Sequence, residues 1–496
     1  MPISFTDKLS ASNDNNNYIC RPYKEGFSLF KDVKYFERMI YSIMPIIFII
    51  GIIAIAFEDA LRINKAAIAI GMSVLLWMLL LADGLNLFKL NGSEMLETLV
   101  KNIPSFAEMS VREQVYKFLE FSILESLGDV SATLFFVLGS MAIIELIDSH
   151  GGFEVIVNAI KTRNKRELLW IISFLTFFLS SVLGNLATVI VIVALLRRIV
   201  GERGDRLIYS GMTIIAANAG GAWSPIGDVT TLLLWTGGNV SVMHQVTHII
   251  LPSLVMMSVP LVFTTFSFKK GAECKSPLIE KADPFLAKID PRLKRMLLIT
   301  GLASLASIPV LQSLLHLPPF MGILLGLAVL WVMTDRRWAG RRISVIQELR
   351  VQRVFSRIDV STVMFFLGIL MSVASLKTAG HLVQMSGFLD SVMPSPEVIS
   401  LSLGITSSFL DNVALVAGTI GMYPLAQSGP FMADSSFWTF LAYCAVTGGS
   451  ILIIGSASGV TVMGLEKVPF VYYLKKFSLL ALIGYFAGAS VYLLLF

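Results

Sequence analysis

The stretch at residues 216–231, AANAGGAWSPIGDVTT, constrains what this chain can fold into more than any other. It lies between the apolar runs 207–215 and 232–235, inside what those flanks mark as one membrane crossing. Gly220, Gly221, Pro225 and Gly227 are poor material for a helix, and Asp228 puts a carboxylate at the interruption. Non-helical backbone at membrane depth is tolerated only inside protein or along a wet cavity. A carboxylate there is costly enough that its first reading is functional. A loop outside the membrane is the plainer alternative. A second copy argues against it: residues 447–466, TGGSILIIGSASGVTVMGLE, set Gly448-Gly449 on Gly220-Gly221 and Gly455 on Gly227.

The reading as a membrane crossing rests on composition. The 496 residues are 55% hydrophobic and only 15% charged, and the mean hydropathy is +0.75. A soluble chain of this length carries far more charge, so the fold class is an all-α polytopic membrane protein. Cys20, Cys274 and Cys444 have neither disulfide nor zinc spacing. The Lys and Arg residues sit in short loops between spans, which leaves no nucleic-acid surface. Residues 1–38 form a polar tail without the apolar core of a signal peptide.

Apolar runs give spans at about 39–57 and 66–82. An acidic segment, 83–129, follows, with an amphipathic surface helix expected at 111–127. Then come span three at 131–147, a segment at 168–196 interrupted at Gly184-Asn185, the broken crossing at 207–236, and a span at 246–268. After a hydrophilic linker, 269–295, the pattern repeats. Runs at 296–311 and 320–334 match the first two spans, and 360–376 matches span three. The segment 398–422 is interrupted at Asp411-Asn412, a second broken stretch follows, and 472–496 closes the chain. DVSATLFFVLG, starting at Asp129, corresponds to DVSTVMFFLG, starting at Asp359, an offset of 230; Gly220 to Gly448 is 228. The halves are thus 39–268 and 296–496. Repeats with glycine-interrupted segments at matching places are the mark of a secondary transporter.

Charge sets the sidedness. Lys161, Arg163, Lys165 and Arg166 precede the segment 168–196, and Arg197, Arg198, Arg203 and Arg206 follow it. Cytoplasmic loops collect Lys and Arg, so both flanks belong inside. With arms of about 14 residues, near 20 Å of helix, the segment reads as a re-entrant hairpin with Asn185 near its tip. A single long crossing is the competing reading. The flanks of 398–422 are nearly free of Lys and Arg and belong outside. Five crossings plus one hairpin per half is an odd number of crossings, so the two repeats are expected to be inverted, with broken helices at the midplane and both termini outside.

Two hairpin tips and two broken crossings would bring together only oxygen ligands. These are Asn185, Thr188, Ser224, Asp228 and Thr230, then Ser408, Asp411, Asn412, Thr447, Ser450, Ser456 and Ser458. Hard monovalent cations want oxygens with some negative charge. No Lys or Arg lies in the broken stretches, which favours a cation over a dicarboxylate. Any one Ser or Thr could equally be packing between membrane helices; the two carboxylates are harder to explain that way. Glu145 and Asp148, at the end of span three, offer a path for protons, although plain solvation there is the simpler reading.

With these residues in place, the chain resembles the NhaD-type sodium/proton antiporters. AANAGGAWSPIGDVTT, SSFLDNVALVAGTIGMY and TGGSILIIGSASGVTVMGLEKVPFVYYLKK are similar to that family's signature blocks, and the likeness runs from about span one to the C-terminus. The family belongs to the ion transporter superfamily, with arsenite permeases and dicarboxylate carriers. The resemblance implies exchange of Na⁺ or Li⁺ for H⁺ across a bacterial inner membrane or an organelle envelope. It also implies Asn185, Asp228, Thr230, Asp411 and Asn412 as ion-site residues, a metal site for Na⁺ at Asp411, Asp228, Asn185 and Asn412. One position departs: the family usually has Asp before the first tip Asn, where this chain has Gly184. The first tip therefore lacks a carboxylate, and Asp411 is expected to carry most of the proton coupling.

A related carrier of an anion or dicarboxylate is the alternative function. An intramembrane serine protease, suggested by Ser456-Ala457-Ser458-Gly459, is disfavoured: His150, His244, His248, His316 and His381 are not placed inside spans as bases, and HExxH is absent. No P-loop supplies ATP drive. The chain is thus expected not to be an enzyme and to need no cofactor, Na⁺ or Li⁺ and H⁺ being its substrates. Its partners are the lipid bilayer and monovalent cations; a homodimer is left open.

Overall fold

The computed structural model describes residues 43–55, 58–82, 106, 109–160, 162–274, 289–338 and 354–496. The polar tail, most of the acidic segment, most of the linker and the basic stretch at 339–353 lie outside these residues.

Within them the fold is helical throughout. The chain starts with α1 (Ile43–Ile55), a short α2 (Glu58–Leu61) and α3 (Lys65–Ala82), then α4 (Val111–Ser149) and α5 (Glu154–Ala159). Next are α6 (Lys165–Leu183), α7 (Asn185–Ile199), α8 (Arg203–Ala222), α9 (Val229–Thr236) and α10 (Val242–Thr265). The second half gives α11 (Pro291–Leu315), α12 (Pro319–Trp338), α13 (Val360–Thr378), α14 (His381–Val392), α15 (Pro396–Thr406) and α16 (Asn412–Met422). It closes with α17 (Ser436–Gly448), α18 (Ala457–Glu466) and α19 (Phe470–Leu495), the last with a π turn at Leu474–Ser478. Eight helices among the described residues are long and apolar enough to cross a membrane. The chain is a multi-pass integral membrane protein.

Three details differ from the expectations. The surface helix at 111–127 and span three are one helix of 39 residues, about 58 Å long. Ser110 and Glu113 cap its start reciprocally, and it runs unbroken through Gly128, which has open space around it. Secondly, Gly220 and Gly221 do not break α8, which runs on to Ala222; the break is at 223–228. In the second half Gly448 likewise ends α17 rather than interrupting it. Thirdly, α6 has 19 residues because its first turn reaches back to Lys165, so it is long enough to cross.

The glycines in α8 and α17 have a packing role instead. A Cβ at Gly220 would strike the carbonyl of Phe177 on α6, and one at Gly448 the carbonyl of Gly404 on α15. The helices therefore touch backbone to backbone, as small residues allow in a membrane. Next to each contact a serine bridges the pair. Ser180 Oγ donates to the Ala217 carbonyl at 2.7 Å, and Ser407 Oγ donates to the Ala445 carbonyl at 2.8 Å. Beyond the breaks the halves interlock: α9 packs on α16, and α18 packs on α7. The buried core runs through this interlock, where α8 and α17 are almost wholly enclosed.

Candidate ion site

Four helix starts converge in the interlock. α7 begins behind Gly184, α9 behind Asp228, α16 behind Asp411 and α18 behind Ser456. Short polar side chains suit these positions because they take up amide groups that the first turn leaves unbonded. Asp228 Oδ1 accepts from the Thr230 amide at 2.7 Å. Asp411 Oδ1 accepts from the Val413 and Ala414 amides at 3.0 and 3.4 Å. Ser456 Oγ accepts from the Gly459 amide at 3.2 Å. Gly184 gives no side-chain cap; its φ of 83° and ψ of 155° turn the chain from α6 into α7. The Asn185 amide donates to the Gly227 carbonyl at 3.1 Å, so the turn is fastened to the break between α8 and α9.

Asp228 is the meeting point. It is 6% exposed. Asn185 Nδ2 donates to its Oδ2, and Asn412 Nδ2 donates to its Oδ1 at 3.4 Å. One carboxylate thus ties the first half's interruption to the second's. A second knot surrounds Asn218 on α8. Its Oδ1 accepts from Asn185 Nδ2 at 3.3 Å and from Ser458 Oγ at 2.7 Å. Its Nδ2 donates to Ser450 Oγ at 2.9 Å and Ser456 Oγ at 3.0 Å. Asn218 escaped the sequence reading although it stands inside the organising stretch; an amide within an otherwise apolar run was the available signal.

The other expected residues are distributed as follows. Asp411 and Asn412 share a cavity of about 320 Å³ with Gly184, Asn185 and Asp228. Glu145 and Asp148 line the same cavity at its other end, where Arg357 Nη1 lies 3.8 Å from Glu145 Oε1. The hydroxyls of Thr188 and Thr230 are buried and have no hydrogen-bond partner among the described residues. Ser224 shapes the break: its Oγ accepts from the Ile226 amide at 3.4 Å and its carbonyl accepts from Thr231 Oγ1 at 2.9 Å. Ser408 and Thr447 turn back on their own segments, donating to the Ile405 carbonyl at 2.6 Å and the Tyr443 carbonyl at 2.6 Å.

The chemistry of this set is narrow. Helix N-termini carry partial positive charge, which by itself repels a cation. Two of the four starts carry a carboxylate at the cap, and that supplies the negative charge a hard cation requires. The amide nitrogens of Asn185 and Asn412 hold Asp228 in place.

Known proteins match this chain over most of its length. A family described as "Citrate transporter" matches residues 44–443. Sodium/proton antiporter 1 of Arabidopsis thaliana is 41% identical over 452 residues, covering 91% of this chain and 72% of the relative. Sodium/proton antiporter 2 of the same plant is 39% identical over 453 residues, covering 91% of this chain and 98% of the relative. The chain belongs to the sodium/proton antiporter family. The NhaD branch is matched too: the Na⁺/H⁺ antiporter NhaD of Alkalimonas amylolytica is 27% identical over 475 residues, covering 90% of this chain and 89% of that protein. In this sodium/proton antiporter the first tip is built on Gly184, whose backbone angles are those that only glycine adopts freely.

Proposed function

We propose that this chain is a secondary transporter that exchanges Na⁺, or Li⁺, for H⁺, with Asp228 and Asp411 as the carboxylates for which cation and proton compete. The observation that carries the reading is the convergence of four helix starts on two capping carboxylates and a set of neutral oxygens. Asn185 and Asn412 orient Asp228, and Asn218, Ser456 and Ser458 in turn hold Asn185. Thr188 and Thr230 bring buried hydroxyls without partners among the described residues, and such groups cost about 1–3 kcal/mol each unless something binds them. Ser224 and Ser408 fall to the backbone turns beside the two carboxylates.

The architecture proposed with it is two inverted repeats, 39–268 and 296–496, joined by a cytoplasmic linker at 269–295. Each has five crossings and a re-entrant hairpin. Support for the first hairpin comes from its ends: Lys165 Nζ at the start of α6 lies 2.6 Å from Asp205 Oδ2 and 3.5 Å from Glu202 Oε2, just past the end of α7. Support for the repeat comes from the paired crossings at Ser180 and Ser407. Glu145, Asp148 and Arg357 then mark the cytoplasmic mouth of the cavity. Relatives come from a plant and from bacteria, so the bacterial inner membrane is one setting and an organelle envelope the other.

The family's description as citrate transporters keeps one alternative alive, a carrier of dicarboxylates or larger anions. Proteoliposomes with an imposed pH gradient separate the two. Na⁺ and Li⁺ should dissipate the gradient while K⁺ and citrate do not. Dissipation by citrate alone would replace the cation reading with the anion one.

A further inference from the structure

Asp411 faces more than one cavity. A second, of about 50 Å³, is lined by Asp411, Ser456 and Ala457 on one side and by Glu58, Lys65 and Phe365 on the other. Lys65 is the first residue of α3, and no motif connected it with the site. Its place is well defined. Ser361 Oγ on α13 donates to Asn64 Oδ1 at 2.8 Å, and the Lys65 amide donates to Glu58 Oε2 at 3.2 Å. The ammonium group lies over the Phe365 ring, 4.9 Å from its centroid. An aromatic face holds a cation without neutralising it. Lys65 and Asp411 thus line one small cavity.

We infer that Lys65 is a tethered cation that competes with Na⁺ for Asp411. The inference rests on the reading of Asp411 as an ion ligand. When Na⁺ leaves, an uncompensated carboxylate inside a membrane protein is expensive. A flexible lysine stem lets the ammonium swing from Phe365 towards Asp411 and offset that cost. Rebinding of Na⁺ sends it back. The tether weakens Na⁺ binding and eases its release. The other charged groups around these cavities are Glu58 on α2, beside Lys65; Asp228 at the α9 cap, across the larger cavity; and Glu145, Asp148, Arg357 and Asp359 further along it.

The experiment measures the Na⁺ dependence of pH-gradient dissipation by proteoliposomes holding wild type, Lys65→Met, Lys65→Arg or Asp411→Asn. Lys65→Met should lower the apparent KM for Na⁺ by about threefold or more, the scale of a half-exposed ion pair, and lower the maximal rate. Lys65→Arg keeps the charge and should stay within about twofold of wild type. An unchanged KM in Lys65→Met, with Asp411→Asn inactive, overturns the role of Lys65. Exchange that survives in Asp411→Asn instead overturns the reading beneath it. If Lys65→Met does not insert, Na⁺-induced thermal stabilisation of detergent-solubilised Lys65→Gln gives the same answer: its midpoint should move to lower Na⁺, and an unmoved midpoint rejects the proposal.

Discussion

At the scale of single residues, capping is what joins fold to function. Asp228, Asp411 and Ser456 would each be unremarkable at the start of a soluble helix. Here the helices that Asp228 and Asp411 cap start at one buried cavity, where the proposed function places the ion. Gly184 shows the limit of exchanging residues by analogy. Gly184→Asp would add the acid that the resemblance to NhaD-type antiporters implies at the first tip, and the nearest atom to an added Cβ, the Gly227 carbonyl oxygen, is 3.8 Å away. Space is available; the backbone is the obstacle, since φ 83° and ψ 155° disfavour any L side chain by about 1–3 kcal/mol. The variant should lose thermal stability in detergent by that amount. A variant as stable as wild type would mean that the turn readily adopts another conformation. The acids and the tip asparagines were legible in the sequence because polar residues inside apolar runs stand out. Asn218 and Lys65 were not, the one because the glycines beside it are the stronger local signal, the other because it stood just outside the expected span.

At the scale of elements, the sequence marked where helices are interrupted better than it explained why glycine is there. Gly220 and Gly448 were read as breakers from their propensity. They stay helical because the rest of the turn is well packed, and their missing side chains let α8 and α17 lie against the backbone of α6 and α15. Propensity is a weak prior where tertiary contact decides. Gly448→Ala should therefore destabilise the protein by overpacking, about 1–3 kcal/mol, whereas Gly464→Ala, with open space around it, should be near neutral. Equal melting temperatures for the two variants would contradict the close approach. The proposed hairpin of α6 and α7 has its own test. Cysteines at Arg163 and Arg203 should react from the same side with an impermeant thiol reagent; labelling from opposite sides would make this segment a crossing and undo the inverted repeat.

At the scale of the whole molecule, the two halves complete each other. α9 packs on α16 and α18 packs on α7, and Asp228 collects asparagines from both halves. The first half alone would leave Asp228 without Asn412. The recurring sequence pattern was visible from the near-constant offset of its matching motifs. The course of α4 was not, because periodicity does not reveal whether two adjoining helical stretches are one. The central claim is that cation and proton compete for the capping carboxylates. It is tested most directly by Na⁺-driven dissipation of a pH gradient in proteoliposomes holding wild type, Asp228→Asn or Asp411→Asn, each checked for insertion and folding. Both variants keep the side-chain size and lose the charge. The account predicts that Asp411→Asn abolishes the Na⁺ response and that Asp228→Asn needs about tenfold more Na⁺ or fails outright, the loss of one charged ligand. Exchange by both variants at wild-type Na⁺ concentrations and with an unchanged pH dependence would contradict it.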